Sequence, residues 1–211
     1  WDDWRQSAAS GGDAGSIARR ALAHLEARER WGWMLPPDIP ARRAELARTL
    51  GRADLAEVAL LQLVPDNVEA RLDLAELLAS QGRFAEAERE LRAAIAADPA
   101  LVPAHYGLGA VLAAGGWIVE AVAALRRARE LAPEDAEVLN NLGFLLGELG
   151  AVQEAEALLG EARGRAPTWA LPCFNLAALL DRQGRGGEAE ALAAICPAGR
   201  EPPPGRSPSS R

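Results

Sequence analysis

The sequence has no lysine at all; every one of its basic residues apart from two histidines is an arginine. That removes the Schiff-base amine and the phosphate-loop lysine, and with them two broad classes of enzyme chemistry. His24 and His105 stand in separate segments, and neither has an HExxH, cysteine or carboxylate companion at ligand spacing. No metal and no cofactor is therefore expected. Two cysteines in 211 residues make no disulfide framework. Cys173 and Cys196 are expected to be two buried thiols, with a disulfide as the alternative in an oxidising compartment. No run approaches the roughly 20 apolar residues of a membrane helix. No charged-then-apolar leader opens the chain, although it begins at Trp1 with its one methionine at Met34, which leaves room for a lost segment. The net charge of −7 and pI near 5 argue against a nucleic-acid partner, which needs a basic face. Serines gather in the termini without a nucleophile-elbow motif, and glycines never form a phosphate-cradling run. The chain is expected not to be an enzyme.

What the sequence does contain is a period. Gly82, Gly116, Gly150 and Gly184 stand 34 residues apart, as do Pro65, Pro99, Pro133 and Pro167. Leu74, Leu108, Leu142 and Leu176 keep the same step, and so do Ala87, Ala121, Ala155 and Ala189. A step this regular means one supersecondary unit copied in series. Within one period, Val68 to Ser80 has a helical apolar spacing, and Gly82 breaks it. A second helix runs from Phe84 to Ala97 until Asp98-Pro99 stops it, because proline cannot continue the ladder. Small alanines recur where two antiparallel helices must approach closely.

These residues resemble the tetratricopeptide repeat, whose pattern is W-x2-L-G-x2-Y, A-x3-F and P. It is met as His105-x2-Leu108-Gly109-x2-Leu112, Ala121-x3-Leu125 and Pro133, and again as Leu139-x2-Leu142-Gly143-x2-Leu146, Ala155-x3-Leu159 and Pro167. The large aromatics of the pattern are replaced: its Trp falls on Arg71, His105, Leu139 and Cys173, its Tyr on leucine. The resemblance implies an all-α, right-handed superhelical solenoid of antiparallel helix pairs. Units are expected at 68–99, 102–133, 136–167 and 170–196, together an array over 66–196. A shortened unit precedes them at 40–65, and an N-terminal segment, 1–39, carries one capping helix from Ser16 to Arg30. The last unit ends in a short helix from Glu188 to Cys196, followed by a Pro/Ser/Arg-rich tail, 197–211, expected to be disordered.

Members of this family line a concave groove with the first helix of each unit. On the helix from Ala136, a 100° step puts Glu137, Asn140, Asn141, Phe144 and Glu148 on one stripe, and Leu139, Leu142, Leu146 and Leu149 on the core side. One unit on, the groove stripe holds Phe174, Asn175 and Asp181; one unit back it holds Tyr106. Asn141 and Asn175 resemble the asparagine ladder of the O-linked N-acetylglucosamine transferases, where the carboxamide pairs with the backbone of an extended peptide. The expected peptide-binding residues are Asn140, Asn141, Phe144, Phe174 and Asn175, with Tyr106 as an apolar shelf. Acids at Glu69, Asp73, Glu76, Glu137 and Asp181 point to a neutral or basic partner and against a carboxylate clamp. The function these imply is a protein-interaction scaffold, cytoplasmic rather than periplasmic. The alternatives are self-assembly through the bare C-terminal edge, and the substrate-recognition arm of a larger enzyme such as a glycosyltransferase.

Overall fold

The computed structural model describes residues 18–19, 21–23, 39–64 and 67–197. The expected capping helix falls mostly outside them, with only 18–19 and 21–23 described, and these are helical. His24, the tryptophans before the array and the tail beyond Pro197 also lie outside. The described residues hold helices and no strand. The chain divides into two units, 1–90 and 91–211. The first contains α1 (Ile39–Thr49), α2 (Ala53–Leu63) and α3 (Val68–Ser80), and ends within α4 (Phe84–Ala97). The second contains the rest of α4 and then α5 (Val102–Ala114), α6 (Ile118–Leu131), α7 (Ala136–Glu148), α8 (Val152–Arg165), α9 (Ala170–Arg182) and α10 (Gly186–Ala193).

The recurrent glycine sets the turn inside each pair. Gly51, Gly82, Gly116, Gly150 and Gly184 all have positive φ, between 66° and 86°, a conformation that costs a residue with a Cβ about 1–2 kcal/mol. The following N–H then reaches back to close the helix: Ala151 donates to the carbonyl of Leu146 at 2.9 Å, and Trp117 to that of Leu112 at 2.9 Å. Leu149 lies at this turn and is 47% exposed, which corrects the core position expected for it. The helical angle holds for an ideal helix, but α7 has already ended and the chain is leaving it. Helix starts are marked by side chains at two places. Asn67 accepts from the Ala70 N–H, and Asp135 from those of Glu137 and Val138.

The core of each pair is leucine against alanine. Leu74 and Ala75 are buried in the first unit; Leu125, Leu142, Leu146, Ala155 and Leu159 are buried in the second. Gly109 and Gly143 let the two helices of a pair touch. A Cβ on Gly109 would fall 2.6 Å from Leu125 Cγ and 3.3 Å from the Ala121 carbonyl oxygen. Gly109→Ala is therefore expected to destabilise the protein by about 1–2 kcal/mol, because crowding outweighs the gain in helix propensity. Urea unfolding checks this; a gain in stability would show that the pair is looser than these distances imply.

The first and last copies are short. α2 spans 11 residues where α4, α6 and α8 span 14. α10 has only 8, starting before the expected Glu188 and ending at Ala193. Cys173 and Cys196 are joined by a disulfide, S–S 2.04 Å, not left as two thiols. The reason is topological. Cys173 sits in the first turn of α9, Cys196 just past α10, and the antiparallel pairing brings their Cα atoms to 5.7 Å.

Candidate functional site

In the second unit, α5, α7 and α9 are the first helices of successive pairs. Their shared stripe carries every sequence-predicted site residue. Asn175 on α9 donates from Nδ2 to Asn140 Oδ1 at 2.9 Å; Asn140 donates to Asn141 Oδ1 at 3.0 Å; Asn141 donates to the Tyr106 hydroxyl at 2.9 Å. One hydrogen-bonded relay thus crosses three helices. Both inter-helix bonds join residues 35 apart, one more than the repeat. The asparagine of one unit therefore ties to the preceding position of the unit before it.

The six residues do not play one part. Asn140 is 1% exposed, so its carboxamide works between helices and not on a surface. Asn141, Asn175 and Tyr106 are half-buried. Phe144 and Phe174 are 43% and 47% exposed, large apolar rings left in solvent. Among the described residues, the Asn175 oxygen and one N–H each of Asn141 and Asn175 have no protein partner. Tyr106, expected as an apolar shelf, also contributes a polar atom to the relay. Its hydroxyl proton is held more tightly than usual, first by burial and then by the charge of Glu137. Glu137 itself is pushed up by burial and by neighbouring Asp135.

The acidic stripe divides differently. Arg48 meets Asp73 at 3.1 Å and Glu76 at 3.4 Å beside a cavity of about 340 Å3 in the first unit. In the second unit Arg182 pairs with Glu148. Glu137 has no cation beside it among the described residues. Sequence reasoning missed these arginine pairs; the signal was arginine recurring roughly one repeat from an acid, as in Arg126–Glu154 at 2.8 Å.

His105, at the pattern's Trp position, is buried with Nε2 donating to the Pro99 carbonyl at 3.0 Å. Among the described residues no helix is long and apolar enough to cross a membrane, and no three of His, Cys, Asp and Glu converge at metal-ligand spacing.

Residues 47–112 match the Tetratricopeptide repeat family. No curated protein matches the sequence significantly. Among solved structures, one of MamA has a TM-score of 0.67 and 22% identity, covering 72% of this chain and 91% of that one. MamA 41-end from Desulfovibrio magneticus RS-1 has a TM-score of 0.69 and 18% identity, with 74% and 90% covered. TTC0263, a thermophilic TPR protein in Thermus thermophilus, has a TM-score of 0.61 and 24% identity, with 75% and 89% covered. The matched segment and the fold shared with these solved chains place this protein among the tetratricopeptide-repeat folds.

Proposed function

We propose that this chain is a non-catalytic protein-interaction scaffold that holds an extended peptide segment against α5, α7 and α9. The observation that supports it is the pairing of two solvent-exposed phenyl rings, Phe144 and Phe174, with carboxamide groups that still have hydrogen-bonding capacity. A carboxamide that can both donate and accept suits a peptide backbone whatever its side chains. Asn141 and Asn175 are the polar contacts, Phe144 and Phe174 the apolar ones, and Tyr106 and the buried Asn140 hold the polar pair in place. A neutral or basic segment fits best, because Glu137 lacks a cation of its own among the described residues. The Cys173–Cys196 bond favours an oxidising compartment over the cytoplasmic one read from the sequence.

The test starts from a peptide selected on the full chain from a random displayed library. Asn141→Ala together with Asn175→Ala is expected to weaken that peptide by about 1–3 kcal/mol while far-ultraviolet dichroism stays unchanged. Equal affinity for the double variant and the parent would sink the reading. Self-assembly through the C-terminal edge is a second reading, favoured by Ile195, which is 70% exposed beside the bare alanines of α10. Sedimentation over a range of concentrations separates the two, since a peptide scaffold stays monomeric.

A further inference from the structure

A hollow of about 530 Å3 opens in the second unit, on a different stripe of α5 from Tyr106. α4 and α6 form its walls and α5 its floor. The floor is Leu108 and Leu112 beside His105, and Ile95 adds an apolar wall from α4. The rim carries Arg92, Arg127 and Glu120; Arg92 already has a polar or charged partner, and Arg127 is paired with Glu130. Its volume lies within the roughly 300–1,000 Å3 of small-molecule sites.

The repeat explains why the space is open here. One step of 34 residues carries Ala124 onto Leu158 and His105 onto Leu139. In the next repeat those two leucines fill the corresponding space, at 2% and 0% exposed. Ala124 and His105 fill it less completely, at 8% exposed each, and the shared leucine is slightly less covered too: Leu108 is 7% exposed where Leu142 is 0%. The wall has also turned apolar, since Ile95 stands where later repeats place Arg129 and Arg163. A truncated wall residue, an added apolar one and two guanidiniums at the mouth thus coincide at one repeat junction. The Arg127 bond to Glu130, 2.7 Å long, joins two exposed side chains, and such pairs contribute little, so a ligand can displace it at small cost.

From this we infer that the hollow binds an amphipathic carboxylate. Its apolar body rests on Ile95, Leu108 and Leu112, and its anionic end meets the guanidiniums of Arg92 and Arg127. That chemistry has two sources, a free medium-chain acid or the apolar C-terminal residue of a partner chain. Neither depends on the peptide groove.

Calorimetric titration of the full chain decides it. The probes are octanoate with its neutral twin octanol, and a pentapeptide ending in leucine carboxylate with its leucine-amide twin. At least one carboxylate is expected to bind about tenfold or more tightly than its twin. Ala124→Leu, which restores the residue found in α8, is expected to weaken that binding by about tenfold or more with helicity retained. Octanoate binding alone assigns a free acid, peptide binding alone a chain end, and both together support the shared chemistry. Should Ala124→Leu fail to fold, Arg127→Glu, an exposed change, is expected to give a loss of the same order. The inference is overturned when neither carboxylate binds, when the neutral twins bind equally well, or when the variant that folds binds like the parent.

Discussion

Leu142→Ala is expected to cost about 2–5 kcal/mol, the largest effect of any single truncation named here. Leu142 is completely buried in α7, at the leucine that recurs in every unit, and the neighbouring leucines Leu139 and Leu146 are buried with it. Removing its isobutyl group forfeits the transfer term and leaves a cavity that the surrounding helices cannot close. Leu108→Ala removes the same atoms from the same repeat position but next to the open hollow. There the side chain borders the hollow and is 7% exposed, so the loss is expected at the low end, about 2 kcal/mol. Urea unfolding followed by dichroism gives both values. A smaller loss for Leu142 than for Leu108 would mean that the junction between α6 and α8 is not the tighter of the two.

That contrast also marks what could be read from the sequence. The bounds of α3 and α4 fall where glycine and proline place them, because a positive-φ turn and a missing N–H act locally and leave the same signature in every copy. Leu149 escaped because an angular reading assumes that the helix continues, and α7 ends one residue earlier. Asn140 escaped for another reason. Its angle put it among surface residues, but Asn175 of α9 covers and binds it, and only a 35-residue spacing set against a 34-residue repeat hinted at that tie. The hollow at Ala124 was half legible: the missing aromatic at His105 was visible, but its effect depended on a wall residue in another helix. For the disulfide the sequence reads the other way, as two buried thiols, because two cysteines make no framework and only the packing of α9 against α10 brings them to bonding distance.

Opening that disulfide should loosen the end of the chain and spare the rest. α10 has 8 residues, and Ala189 is the only one it buries, so its own packing holds it weakly against α9. Short isolated helices are marginal in water, and an eight-residue one has little cooperative gain to draw on. The covalent link supplies what packing does not. Tying residues 23 apart limits the unfolded chain by about 3 kcal/mol in the loop-entropy estimate. The double change Cys173→Ser and Cys196→Ser is therefore expected to lower the stability of the terminal pair by about that amount. Serine adds a further cost at position 173, because the site is buried and apolar. Amide exchange distinguishes a local effect from a global one. Protection should fall across 186–195 after reduction of the parent protein, with a smaller loss in α9, while α7 and α8 exchange as before; stacked repeats couple chiefly to their nearest neighbours, which confines the damage. Unchanged protection in α10 after full reduction would show that its packing alone is enough. Equal loss through α7 and α8 would show that the second unit unfolds as one block and not pair by pair.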